Sequence, residues 1–412
     1  MQIFEKRRVI MSFYYMRKGI RKLPGMVIKA AAIPDPQVTQ GFGAREQTGT
    51  ICEKYGAKSV LLVTDENLYK LGFYEKVRDS LEKHGIACTV FSNISSEPTL
   101  EIIDEGRNAA VGCGADCIVA LGGGSVMDSC KIIAASARHP AQNVKHFLHK
   151  FAVVPEKTLP MISIPSTAGT GAEYTVGAVV KDDHGVKRST VIIGLDVEHV
   201  ILDSELMVSA PRSVTVWCGI DALSHGLEGI MADVHCTFED TKKSFECVRL
   251  VFRNLPLLLD EPGNIEARQS MSRAAYYGGN AINKQLAGYV HAFAHSIGAE
   301  YHIPHGEAIA YCIVPVMQAQ KELCTERLAA LAVYCGFAHK KDEHHKAADR
   351  FLEELKDLLV LCGMKNGCEA VREDDYDTLI KMIDSDSINY SPPKTFKDNE
   401  IREILDRIRK GD

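Results

Sequence analysis

Apolar positions follow two different periods along this chain, and the change from one to the other divides it. Short continuous apolar runs recur in the first half: Ser59–Thr64 (SVLLVT), Ile86–Phe91, Cys117–Leu121 (CIVAL) and Met161–Ile164. Compact runs of this kind suit strands buried on both faces. Between them lie stretches of helical period: Asn67 to about His84, ended by Gly85; Pro98-Thr99 to Val111; and a segment after Gly122-Gly123-Gly124-Ser125 reaching about Arg138. Strand and helix in alternation predict a parallel sheet with helices on both faces. A short extended segment near Met26–Ala31 precedes them. Val179–Ile193 has the form of a hairpin turning at Asp182-Asp183-His184-Gly185, and Val200–Leu202 is expected to be the last strand. From Arg212 onward the period is helical to the C-terminus. Two domains follow, an α/β domain over 1–210 and an all-helical domain over 211–412, with the boundary near Ala210-Pro211.

Composition narrows the classes. The chain has 412 residues, 46% hydrophobic and 25% charged, as ordinary globular proteins do. A net charge of −6 gives no electrostatic case for nucleic acid as a partner. No apolar run approaches the roughly 18 residues needed to span a bilayer. The first 25 residues are basic without the apolar core of a secretory signal, and Met11 offers an alternative start. Thirteen cysteines, an odd and scattered number without a CxxC pair, suit reduced thiols in a cytoplasmic protein.

Candidate chemistry concentrates in two helical-half segments. Gly288–Gly306 (GYVHAFAHSIGAEYHIPHG) holds His291, His295, His302 and His305. His291 and His295 are four apart and share a helix face, while the Ile303-Pro304 pair should end that helix and return His305 beside it. In Gly219–His225 (GIDALSH), Asp221 and His225 are also four apart. With His291 and His305 they make one carboxylate and three imidazoles, a set suited to Fe²⁺ or Zn²⁺ with room for a water or substrate oxygen. The alternatives are ordinary core and surface histidines and a capping pair.

Three loops of the α/β half offer weaker signals. The Gly122–Ser125 turn suits either a diphosphate at a helix N-terminus or a tight turn with Ser125 as N-cap. Ser166–Thr170 (STAGT) supplies hydroxyls for phosphate or nicotinamide amide groups. Asp65 is placed to accept adenosine ribose hydroxyls, favouring NAD, or to cap the following helix.

In order, GGGSxxD at Gly122–Asp128, PSTAGTGAE at Pro165–Glu173, GxDALSHxLE at Gly219–Glu228 and HAFAHSIGAxYHIPHG at His291–Gly306 resemble the iron-containing, or group III, alcohol dehydrogenases. The resemblance runs over most of the chain from about Gly41. It implies the dehydroquinate synthase-like fold, an N-terminal α/β dinucleotide-binding domain followed by an all-α domain. It implies metal ligands Asp221, His225, His291 and His305, and a non-ligating His295 in a proton relay or facing the nicotinamide. Cofactor contacts would fall on Asp65, Gly123, Gly124, Ser166, Thr167, Thr170, Thr175 and Lys187. The activity implied is hydride transfer between NAD(H) and a primary alcohol or small diol, in a homodimer or larger homo-oligomer. Dehydroquinate synthase-like lyase chemistry and a non-catalytic metal-binding role are the rival readings. Two positions depart from the family pattern: Glu97 stands where many relatives carry Asn, and the tail Ser387–Lys394 (SINYSPPK) lacks Asn-Pro-Arg.

Overall fold

A computed structural model describes residues 34–149, 151–154, 157–183, 185, 187–195, 197–233 and 236–411. The extended segment expected near Met26–Ala31, the basic N-terminus and His184 lie outside the described residues. So do the side chains of Phe151 and Lys187.

The α/β unit contains strands β1 (Gln37–Gln40), β2 (Ser59–Asp65), β3 (Ala87–Ile94), β4 (Cys117–Gly122), β5 (Phe151–Val153), β6 (Met161–Pro165), β7 (Gly177–Lys181), β8 (Lys187–Ile193) and β9 (Val197–Leu202). Its helices are α1 (Thr48–Lys54), α2 (Glu66–Lys70), α3 (Glu75–Lys83), α4 (Leu100–Gly112) and α5 (Gly124–Arg138). A six-stranded sheet runs β1-β9-β6-β4-β2-β3, and every pairing in it is parallel. Alternate residues of β2 serve opposite faces. Leu61 and Val63 join the core against α4 and α5, while Val60 and Leu62 join the one containing residues of α1 and α3. Burial on both faces is why these strands read as continuous apolar runs.

From β2 the chain moves to β3 on one side, then returns to place β4 and β6 on the other. Strand order therefore reverses between β2 and β4. Crevices beyond the C-terminal ends of strands at such a reversal are where α/β sheets take ligands.

Several expectations need correction. The single helix expected over Asn67–His84 is two, α2 and α3, because Gly72 turns the chain at φ 72°. β1 is not visible as an apolar run, since most of it is exposed at the sheet edge. The β7–β8 hairpin is antiparallel, and β5 joins β8 to complete a second, three-stranded sheet.

The helical half of the sequence forms α6 (Arg212–Met231), α7 (Phe238–Asp260), α8 (Ile265–Gln285), α9 (Tyr289–Tyr301), α10 (His305–Cys335), α11 (His344–Leu361), α12 (Tyr376–Ser387) and α13 (Asp398–Lys410). Contacts divide the chain at Thr215/Val216 rather than near Ala210-Pro211, and Asp260–Gly279 packs with the α/β unit. Within that unit a Cβ on Gly171 would lie 2.4 Å from the Cα of Gly279, so the loop after β6 rests directly on α8. Among the described residues, no helix is long and apolar enough to cross a membrane.

Candidate metal and cofactor sites

In the helical unit, Asp221 and His225 sit one turn apart on α6, and His291 lies on α9. Helix α9 stops at Tyr301, where His302 adopts the left-handed conformation at φ 55° and Ile303 N–H donates to Gly298 O at 3.2 Å. Pro304 caps α10, so His305 is the first residue of the next helix. Close approach completes the placement. A Cβ on Gly306 would lie 2.5 Å from Trp217 Cβ and 2.6 Å from Trp217 O, and Trp217 is one turn before Asp221 on α6.

The three imidazoles approach the Asp221 carboxylate, and the mutual spacing that would let one ion reach every donor holds for Asp221, His291 and His305. Asp221 Oδ1 lies 3.4 Å from His225 Nε2, 3.5 Å from His291 Nε2 and 3.4 Å from His305 Nε2. Ligand atoms of Asp221, His291 and His305 all lie within 4.8 Å of one another. Two donors each about 2.1 Å from a tetrahedrally coordinated ion stand about 3.4 Å apart, so this spacing suits a shared cation. Hydrogen bonding tells the same story: Asp221 Oδ1 and His291 Nε2, which face each other, are buried without a hydrogen-bond partner. A buried carboxylate oxygen and imidazole nitrogen left unpaired are costly unless something between them accepts both. The residues therefore fit a divalent metal. Asp221 and His225 are buried, whereas His305 is 41% exposed and opens that side to solvent.

Electrostatics divide the imidazoles. Burial pushes His225 down to about 4, ready to ligate as the neutral base. Burial also pulls on His291, but the Glu228 and Asp221 carboxylates outweigh it and hold His291 up at about 10 with no ion present, so a cation binding there must displace a proton. Asp221 is held well below the carboxylate range: burial opposes this, and the imidazoles of His225, His305 and His291 override it.

His295, one turn beyond His291, is not part of the cluster. Its Nδ1 lies 2.9 Å from Asp386 Oδ2 and 3.2 Å from the Tyr390 hydroxyl, which itself donates to Asp386 Oδ2 at 3.0 Å. Its ring stacks on that of His305, with centroids 5.1 Å apart.

In the α/β unit, Asp65 ends β2 and caps α2, its Oδ1 accepting from Asn67 N and Leu68 N at 3.0 Å each. Gly123, not Ser125, is the N-cap of α5. Ser125 enters the first turn and donates to Ser96 O at 2.6 Å. The two loops beyond β4 and β6 touch. Ser166 N–H donates to Gly122 O at 2.9 Å, a Cβ on Gly123 would meet Thr167 at 3.7 Å, and one on Gly124 would meet Thr170 Oγ1 at 3.2 Å. These residues share the C-terminal edge of β2, β4 and β6, at the reversal of strand order. Thr175 lies deeper, where its hydroxyl oxygen accepts from Lys131 Nζ at 2.9 Å. Lys187 opens β8.

The sequence gives Asp386 and Lys131 no motif, and Glu228, Asp128 and Tyr390 stand in quoted segments without a role of their own. Glu228 follows His225 by three positions on the same helix face, a signal that was available. Asp386 and Tyr390 meet His295 from far along the chain and gave none.

Residues 35–204 match the iron-containing alcohol dehydrogenase family, and residues 215–409 match the C-terminal domain of the Fe-containing alcohol dehydrogenase family. The NAD-dependent methanol dehydrogenase of Bacillus methanolicus is 29% identical over 373 residues, covering 90% of this chain and 97% of that protein. Long-chain-alcohol dehydrogenase 1 of Geobacillus thermodenitrificans is 30% identical over 329 residues, covering 79% and 82%. The crystal structure of a 1,3-propanediol oxidoreductase matches with a TM-score of 0.85 at 27% identity, covering 91% of this chain and 99% of that one. The chain belongs to the iron-containing alcohol dehydrogenase family.

Proposed function

We propose that this protein is a metal-dependent alcohol dehydrogenase moving a hydride between NAD(H) and a primary alcohol or small diol, with the aldehyde as the oxidised partner. One observation carries the proposal: a buried carboxylate oxygen with three imidazole nitrogens around it at 3.4–3.5 Å. Asp221, His225, His291 and His305 would hold the cation, Fe²⁺ or Zn²⁺ according to availability. Once bound, the ion supplies Lewis acidity toward the substrate oxygen, and NAD supplies the hydride acceptor.

The chain's own residues supply the rest. Glycines 123 and 124 with Ser166, Thr167 and Thr170 offer backbone amides and hydroxyls at one sheet edge, a surface suited to a diphosphate. The second oxygen of Asp65 is the atom for a ribose hydroxyl, its first being used by the cap. Thr175 and Lys187 are the further cofactor contacts that the family resemblance implies. His295 is oriented for proton transfer: with Nδ1–H directed to Asp386, its Nε2 is left to take or return a proton. Thirteen scattered cysteines without a CxxC pair support a cytoplasmic location, and the family resemblance supports a homodimer or larger homo-oligomer.

Purified protein mixed with NADH, metal and butanal should show steady loss of NADH absorbance. His291→Ala should lose metal content and activity together. Full turnover by metal-free protein would refute the ligand assignment.

A further inference from the structure

Glu228 is an acid that the proposed chemistry leaves without a role. It is 3% exposed, sits two turns beyond Asp221 on α6, and has both oxygens engaged on α9. Oε2 lies 2.5 Å from His291 Nδ1. Oε1 accepts from Val290 N at 2.7 Å and from His291 N at 3.4 Å. Those amides belong to the first turn of α9, whose donors have no partner within the helix and whose dipole favours an anion. Room for the carboxylate comes from Gly288, where a Cβ would lie 2.8 Å from Oε1 and 3.2 Å from Cδ.

We infer that Glu228 is the positioning residue of the metal centre, fixing the His291 ring and tautomer so that Nε2 faces the cation as a lone-pair donor. The inference rests on the metal reading above. Its logic is one of donors and acceptors. A carboxylate only accepts, so it keeps a ring proton on Nδ1 and makes Nε2 the nitrogen available to a cation. That is the nitrogen 3.5 Å from Asp221 Oδ1, and it is buried with no other partner. Outer carboxylates of this kind orient ligating histidines and raise their basicity. Charge agrees as well: Asp221 and Glu228 together offset a divalent cation inside a buried site.

Glu228→Gln tests this with almost no change of shape. The Val290 and His291 amides need an acceptor, so they fix the new side-chain oxygen in the Oε1 place. The amide NH₂ must then face His291 Nδ1. A donor there moves the ring proton to Nε2, where it blocks the metal. Helix capping is retained, so a merely structural Glu228 would leave metal binding unmoved.

The experiment titrates metal-free, full-length protein with Co²⁺ against a chelator and records the visible Co²⁺ spectrum, with circular dichroism as the check on folding. The expected result is a folded E228Q that binds Co²⁺ about 10- to 100-fold more weakly than the parent, with altered bands. Should E228Q fail to fold, Gly288→Ala, whose Cβ displaces Oε1, should produce the same weakening. A parent that binds Co²⁺ beside folded variants of equal affinity and unchanged spectrum would overturn this inference alone. A parent that binds no Co²⁺ would overturn the metal reading with it.

Discussion

Gly306→Ala probes how the fold delivers His305 to its neighbours. In an open helix this change would stabilise by up to about 1 kcal/mol, because glycine is the poorer helix former. Here the added Cβ would lie 2.5 Å from Trp217 Cβ, 2.6 Å from Trp217 O and 2.7 Å from Trp217 Cα. Ordinary carbon contacts are about 3.5–4 Å, so α10 or α6 must give by about 1 Å. The obstacle is partly backbone, which no rotamer change relieves. Overpacking of this kind costs about 1–3 kcal/mol, reversing the sign expected from propensity. The displaced segment carries His305 on one side and Asp221 on the other. Ligand distances tolerate only about 0.2 Å, so metal affinity should fall by more than about tenfold. Trp217 is the sole tryptophan, and its emission reports the contact directly. Emission, urea denaturation and Co²⁺ titration should therefore change together. Gly263→Ala, with nothing within 4 Å of its Cβ, is the control and should leave all three unmoved. A G306A protein with parental stability, emission and Co²⁺ affinity would refute the claim that this approach sets the site.

Two other predictions concern the α/β unit. Burial raises Glu173 from 4.5 to about 7, and its Oε1 is buried without a partner. The folded state thus holds a proton that the unfolded chain releases, so the associated stability is complete below pH 4.5 and lost by pH 7. The loss is about 3 kcal/mol, which Glu173→Gln should remove from a urea-denaturation pH series; an unchanged series would contradict it. Lys131 is buried and donates to Asp128 Oδ1 and Thr175 Oγ1 at 2.9 Å and to Gly177 O at 2.5 Å, while Asp128 Oδ2 accepts from Val179 N at 2.9 Å. Lys131→Met strands the Asp128 charge and frees the Thr175 hydroxyl. It should cost about 3–5 kcal/mol and weaken NADH binding by fluorescence, whereas parental values in both would contradict the role given to these Lys131 bonds.

Much of this was legible in the sequence because burial leaves a plain trace there. Strands β2, β4 and β6 are covered on both faces, so each appears as an unbroken apolar run. The edge strand β1 leaves none, being mostly exposed. The break between α2 and α3 leaves no trace because Gly72 falls inside a continuing helical period. Local spacing made the relation of Asp221 to His225 plain, and Pro304 signalled the return of His305. Pairings across the chain are another matter. Asp386 and Tyr390 reach His295, and Gly279 meets Gly171, through packing that no local pattern encodes. Glu228 stood within reach of the same helix-face reasoning that joined Asp221 and His225.

The most direct test of the metal-dependent mechanism is a titration of metal-stripped protein with Fe²⁺ or Zn²⁺ while aldehyde-dependent NADH oxidation is recorded. The account predicts negligible turnover at the start and a rise that saturates at one bound ion per chain. Equal turnover with and without the ion, or saturation of binding without any gain in NADH oxidation, would contradict it.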